Sequence, residues 1–392
     1  MSDTTNKSAE LFRLYEELSD ASADLESEES VDQKALDAIF AASQWQLMWR
    51  KFKRNKVAIV GGIVVALYYL LALLAGFVAP YTLEARFVQY IHMPPQRIHI
   101  FYAGKLQPYV CDVELTVDEN LRKHYAPNCD RRFPLQFFAH GESYKLLGLI
   151  DTDVHLFLTS DGIVSLLGTD RQGRDMFSRI LYGSQVSLTI GLLGVMLSLI
   201  LGSVLGVVSG YYGGWIDDLM QRLIELVRSF PSIPLWMALS AAVPPHWPPL
   251  RTYFAITVIL SLIGWTWLAR QLRGKVLSLR HEDFVLAAKM TGATDAWVIF
   301  RHLIPATLSH IIVVSTLSMP SMILAETSLS FLGLGLRPPV TSWGVLLKEV
   351  QNIQSIALYP WVFAPALAIA LLILAFNFLG DGLRDAADPY TV

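Results

Sequence analysis

The chain has 392 residues, of which 53% are hydrophobic and only 17% charged, with a formal net charge of −3. Ordinary soluble domains carry about 25% charged residues, so the composition excludes that class, and the near-neutral balance argues against nucleic acid as a partner. Several charge-free runs reach the roughly 20 residues that a bilayer core requires, which makes this a polytopic membrane protein.

Residues 1–43 are acidic and rich in Ser and Ala, and read as a partly disordered cytosolic tail. Their order is not the basic-then-apolar order of a cleavable signal peptide. From Leu36 to Trp49 the apolar residues fall at helical spacing and end in a basic cluster. This is either an interfacial helix on the cytosolic face or the start of an extended first span. Residues 44–83 therefore hold that helix and the first span, bracketed by Lys56 and Glu84.

Residues 84–165 form an external insert of short β-like runs (RIHIFYAG, YVCDVELTV), turns and prolines. Both cysteines, Cys111 and Cys129, lie in it. An oxidising outer compartment would pair them as a disulfide; otherwise they are two free thiols.

Residues 166–392 carry the remaining spans. A second span is centred between Arg179 and Asp217, and a shorter, prolyl third from Phe230 to Val243 is entered by an amphipathic turn from Leu219. The fourth covers Tyr253 to Leu268, the fifth runs from about Ala306 to Leu324, and the sixth from Trp361 to Gly380. Basic residues in short loops set orientation. Arg50, Lys51, Lys53, Arg54 and Lys56 place the N-terminus inside, and the loop 270–304, with Arg270, Arg273, Lys275, Arg280, Lys289 and Arg301, is cytosolic too. The C-terminus is then also cytosolic.

Within that loop, EDFVLAAKMTGATDAWVIFRHLIP (282–305) looks built to be gripped by another protein. Glu282 and Asp283 open a helix at its positive end, Ala287 and Ala288 permit close approach, and Gly292 suits a C-terminal cap. Ala293 follows, Thr294 caps a second short helix, and Pro305 stops the pattern or starts the next helix.

Catalytic constellations are absent from the sequence. Gly104-Lys105 and Gly274-Lys275 lack the Ser or Thr of a phosphate loop, and neither zinc-type histidine pairs nor a Gly-x-Ser-x-Gly elbow occur. The charge-poor spans oppose a proton- or sodium-driven carrier. His310, near the cytosolic end of span five, reads as a satisfied polar residue. Glu326 is the intramembrane exception, followed by Ser330 and Phe331. It is either a pore or gate residue, or a carboxylate that orders the helix end through nearby hydroxyls.

The chain resembles the C-type permease subunit of dipeptide and oligopeptide ABC importers over residues of about 166 to 390. The motifs are LGTDRQGRDMFSRILYGSQVSL from Leu167, SGYYGGWID from Ser209, ETSLSFLGLGLRPP from Glu326, GDGLRDAADP from Gly380, and the Ala287-Ala288, Gly292, Leu303-Ile304-Pro305 signature. Leu286 stands where the wider family has Glu, a departure common in the peptide branch. The resemblance implies an all-α polytopic fold of about six transmembrane helices, the type I importer permease fold, with a β-containing external insert. It implies ATPase coupling through Glu282, Asp283, Ala287, Ala288, Gly292, Ala293 and Pro305. It also implies a second homologous permease chain, two ATPase subunits carrying ATP and Mg2+, an external solute-binding protein, and the bacterial inner membrane. No cofactor, metal or catalysis is expected in this chain. The runner-up readings are the same machine importing an oligosaccharide, opine or nickel chelate, an autonomous secondary carrier, and a membrane enzyme.

Overall fold

The computed structural model describes residues 44–387, apart from 103, 118 and 120–122. The tail expected at 1–43, and the part of the expected interfacial helix before residue 44, lie outside the described residues.

Helix α1 (Gln44–Arg54) is a helix of its own, ending in Lys51, Lys53 and Arg54. It stops because Asn55 turns to cap the next one, accepting the Ala58 N–H at 3.1 Å. Helix α2 (Lys56–Leu73) is the first span and continues into a single extra turn, α3 (Ala75–Val78).

The insert is a four-stranded antiparallel meander in the order β1-β2-β3-β4. The strands are β1 (His99–Tyr102), β2 (Lys105–Val117), β3 (Lys123–Leu146) and β4 (Ile150–Thr159). Cys111 on β2 and Cys129 on β3 are joined by a disulfide across neighbouring strands. Val110, Phe157 and Val164 form the buried side, packed on Tyr81 and Phe177 at the root of the helical bundle. Strands β1 and β2 coincide with the two β-like runs of the sequence, whereas β3 and β4 were not expected. β3 exposes most of its side chains on both faces, so it lacks the in-out alternation that betrays a half-buried strand.

Helix α4 (Met176–Tyr212) is the axis of the bundle, about 55 Å long for its 37 residues. Asp175 starts it, its Oδ2 accepting the Ser178 N–H at 2.7 Å. Gly202, Gly206 and Gly210 form a stripe every four residues that lies on helix α7 (Pro249–Leu279). A Cβ on them would fall 2.9 Å from the Trp265 carbonyl, 2.5 Å from that of Ala269 and 2.9 Å from that of Arg273. Small residues of this kind allow membrane helices to pack backbone to backbone.

Between α4 and α7 the expected third span takes a different form. Helix α5 (Gly214–Ser229) and helix α6 (Ser232–Ala241) are separated at Phe230–Pro231. Proline pushes the preceding residue out of helical geometry, and Phe230 is extended at φ −86°, ψ 138°. The ten residues of α6 rise only about 15 Å, half a bilayer core. Helix α5, which precedes it, runs antiparallel to α7. Asp217 bonds Arg273, Ile224 packs on Trp265 and Ala269, and Arg228 lies over Trp267. Among the described residues five helices are long and apolar enough to cross a membrane alone, and α6 is a shorter apolar helix beside them.

Two short helices, α8 (Asp283–Met290) and α9 (Asp295–Val298), lead through a π turn at Ile299–Leu303 into α10 (Ile304–Phe331). The long connection after α10 is folded, with α11 (Trp343–Leu347) and α12 (Ile353–Leu358). Helix α13 (Ala364–Ala387) closes the bundle against α2, with Gly61 under the Ala375 carbonyl.

Gly206→Ala is expected to destabilise the chain by about 1–3 kcal/mol, because the new methyl meets backbone that cannot yield. Gly62→Ala meets only the end of the Leu379 side chain at 3.5 Å and should stay within about 0.5 kcal/mol. Thermal melting of the two purified variants checks this pair.

Candidate coupling face and cleft

Glu282 is the N-cap of α8 and Asp283 its first residue, where acidic groups meet the positive helix end. The other end closes through Gly292 at φ +84°, a conformation that favours glycine. Its N–H bonds the Lys289 carbonyl at 3.0 Å, and the Ala293 N–H reaches back to Ala288 at 3.1 Å. These two bonds make a Schellman cap. Thr294 then caps α9 by accepting the Trp297 N–H at 3.3 Å. Pro305 sits in the first turn of α10, exposed, just after the π turn. α9, the π turn and α10 are continuous, so Pro305 does not stop the helix; it sits at the second position of α10, the helix-start alternative.

α8 buries one side and offers the other. Val285 and Ala288 are buried against Val207, Tyr211, Val276, Val298, Ile299 and Leu303. This corrects the expectation that Ala287 and Ala288 form one outward face: Ala287 is exposed, while Ala288 brings α8 close to its own bundle. The outward face is instead apolar and large, with Phe284, Leu286, Trp297, Phe300 (62% exposed) and Met290 (88% exposed). Tyr211, at the end of α4, ties the two halves together. Its hydroxyl donates to Asp295 Oδ1 at 2.5 Å, and Lys289 Nζ lies 4.5 Å above its ring.

Above this face, a cavity of about 600 Å³ opens between α4, α7 and α10. Leu260, Leu268 and Met322 supply apolar wall, and Ser198, Ser318 and Ser321 supply hydroxyls. Gln271, His310 and Arg384 also border it. His310 reads from the sequence as a satisfied polar residue rather than a proton relay, but its Nε2 finds no partner among the described residues.

At the far end of α10, Glu326 is fully buried and lies outside the cavity lining. Ser187 of α4 donates to its Oε2 at 3.0 Å and Ser330 to its Oε1 at 2.8 Å. Each serine in turn accepts a backbone N–H, Trp343 on Ser187 at 3.1 Å and Leu336 on Ser330 at 3.0 Å. The carboxylate thus pins α11 and the preceding loop to α4 and α10. Phe331 is half-buried at the helix end and also does not border the cavity.

A second polar cluster was not read from the sequence. Fully buried Asp170 bonds Arg174 Nε at 2.7 Å and also Arg179, and Glu349 Oε1 lies 3.5 Å from Arg179 and 3.9 Å from Arg174. Burial, and then the neighbouring Asp170 charge, raise the Glu349 carboxyl above its ordinary pKa, against the pull of the arginines. The cluster locks the start of α4 to the turn after α11.

Comparison with known proteins decides what this arrangement belongs to. The family described as "Binding-protein-dependent transport system inner membrane component" matches residues 202–391, and "N-terminal TM domain of oligopeptide transport permease C" matches residues 43–95. The dipeptide transport system permease protein DppC of Lactococcus lactis is 32% identical over 358 residues, covering 89% of this chain and 91% of that one. The DppC of Alkalihalophilus pseudofirmus is 40% identical over 223 residues, 57% of this chain and 71% of that one. The glutathione transport system permease protein GsiD of Escherichia coli is 33% identical, covering 88% of this chain and 90% of that one. The chain is a C-type ABC importer permease.

Membership extends further along the permease than the motifs quoted above, since α1 and α2 fall inside the N-terminal match. The structure brings Glu282, Asp283, Ala287, Gly292 and Pro305 onto one exposed element, with Ala293 half-buried behind its cap. Ala288 faces inward, and Glu326 and Ser330 form a buried hub. The large apolar side chains of the face went unread because Phe, Leu and Met at helical spacing ordinarily signal core. Only the exposure of these five shows otherwise.

For Glu326, Glu326→Leu should lower stability by about 1–3 kcal/mol, the scale of leaving the Ser187 and Ser330 hydroxyls without their buried acceptor. Thermal melting of the purified permease measures it. Lost transport at unchanged melting would instead mark a pore residue.

Proposed function

We propose that this permease forms half of the translocation path of an ATP-driven importer of peptides. The observation that carries the coupling is the exposed face of α8 and α9. Phe284, Leu286, Met290, Trp297 and Phe300 are apolar and uncovered on an element braced from within by Val285, Ala288 and Tyr211. Apolar surface of that size marks a protein interface. The occupant is a separate ATPase subunit, one for this chain and one for a second, homologous permease. ATP closure of the two ATPases, with Mg2+ on their side, rocks the permeases between inward- and outward-open states by favouring one of them. An external binding protein delivers the cargo, and this chain is not itself a catalyst.

The proposed orientation has both termini and the 270–304 loop in the cytoplasm, with the insert outside the inner membrane. Basic residues near the spans support it. Peptide cargo is supported by the relatives, two of which are named as dipeptide permeases and one as a glutathione permease. The cavity suits such a solute in that its apolar wall would take side chains while hydroxyls and Arg384 meet amide and carboxylate groups. Uptake of labelled di- and tripeptides into proteoliposomes, with ATP inside and the binding protein outside, tests the cargo. No uptake of any peptide alongside uptake of an oligosaccharide or nickel chelate would replace it.

Met290→Glu together with Ala287→Glu should abolish copurification of the ATPase and ATP-driven uptake while leaving thermal melting unchanged, because both side chains point outward. Ala288→Glu should instead lower melting, because it forces a charge into the chain's own packing. ATPase retained at full stoichiometry in the double variant would sink the coupling assignment.

A further inference from the structure

The β3–β4 hairpin ends in a turn that is chemically out of place in water. Leu149 N–H bonds the Leu146 carbonyl at 3.0 Å, and the two central residues, Leu147 and Gly148, both have positive φ, 54° and 69°. This is a type I′ turn, whose first central position favours Asn, Asp or Gly. A leucine there is held in a backbone region that L side chains rarely enter. Leu147, Leu149 and Ile150 are exposed, Leu149 at 83%. Nothing else in the described chain covers them, and a polar pair, Lys145 and Asp151 at 4.0 Å, stands immediately behind the apolar tip.

The sheet's seat on the bundle indicates where the tip goes. The contacts step along β4 and down the first span together. Tyr81 Oη accepts the Val164 N–H at 2.9 Å, His155 Nδ1 meets the Ala79 carbonyl at 2.6 Å, and the Tyr144 ring fills the space over Gly76. Further toward the membrane lies α2, whose exposed residues at this end are Leu67, Leu70 and Leu73. The turn lies beyond Tyr144, and the two remaining strand residues, Lys145 and Leu146, carry it about 7 Å on. The apolar tip therefore extends toward the end of α2 that bears Leu67, Leu70 and Leu73.

We infer that the tip Leu147–Ile150 is an interfacial anchor that enters the acyl-chain boundary of the leaflet at the insert's side, with Lys145 and Asp151 at headgroup level. Its partner is phospholipid, and the anchor holds the insert against the bilayer beside the first span. Such an anchor requires only that α2 crosses the bilayer, whichever compartment the insert occupies.

Cys111 and Cys129 are bonded to one another and are the only cysteines of the chain, so one introduced thiol can be labelled alone. Nitroxide at Leu149→Cys, and separately at Ile150→Cys, is read in the assembled transporter in phosphatidylethanolamine–phosphatidylglycerol nanodiscs. Leu106→Cys, on the β1–β2 hairpin and 75% exposed, is the control. Collision with oxygen, which concentrates in lipid, should dominate at 149 and 150. Collision with a water-soluble nickel chelate should dominate at 106. Chelate-dominated collision at 149 and 150 would place the tip in water, and weak collision with both reagents would place it under protein; either overturns the anchor. ATPase copurifying in the same preparations shows, independently, whether the coupling assignment stands.

Discussion

The packing of α4 on α7 is the contact on which the rest of this permease depends. In hydrocarbon, apolar surface alone does not drive helices together, so association rests on van der Waals fit and hydrogen bonds. Gly202, Gly206 and Gly210 provide that fit by letting the α4 backbone come against the Trp265, Ala269 and Arg273 carbonyls of α7. One end of the same two helices, at Val207, Tyr211 and Val276, is the floor on which α8 rests. A force on α8 is therefore delivered to a closely packed pair of helices. Asp217, bonded by Arg273 Nε at 2.6 Å and by Ser209 at 2.5 Å, fixes the same end against α5.

The second line of transmission is covalent. From Asp295 to Phe331 the chain is one continuous helix of 37 residues, with the π turn near its start and Pro320 in its interior. A proline in a helix removes one hydrogen bond and crowds the carbonyl four residues back. A π turn widens the helix by one residue at that point, which accounts for continuity through Pro305. The helix begins beside the exposed face of α8, passes His310 and Ser318 along the cavity, and carries Glu326 close to its far end.

How much of this was legible in the sequence depends on how local each signal is. Glu282, Gly292 and Thr294 were readable because caps are written in two or three adjacent residues, and the structure puts each in its cap. The inward turn of Ala288 was not, because which side of a short helix is buried depends on Tyr211 and Val276, more than ten residues away in each case. The third span was recognised as short, but its partner α5 looked merely amphipathic. Its polar face is satisfied by α7 through Arg273, a relation between segments that no window of sequence contains. β3 escaped for the opposite reason, being exposed on both faces and so without a pattern. Glu326 stands out in the sequence as an intramembrane carboxyl group, yet its two possible roles differ only in what Ser187 and Ser330 touch.

The distribution of charge bears on how such a permease can work. Arg222 and Glu225 pair on the exposed side of α5, whereas the ion pairs that join separate segments of the bundle fall at its two ends, Asp217 with Arg273 at one and Asp170, Arg174, Arg179 and Glu349 at the other. Between them the cavity wall offers serine hydroxyls, with His310 and Arg384 at its border and no carboxylate. A carrier driven by protons or sodium needs a group near the midplane that binds the ion. Hydroxyls and apolar wall instead hold a solute weakly, which is what a path must do if it is to release its cargo. The proposed coupling draws its energy from outside the membrane, and the uncovered apolar side chains of α8 and α9 are the surface it would use.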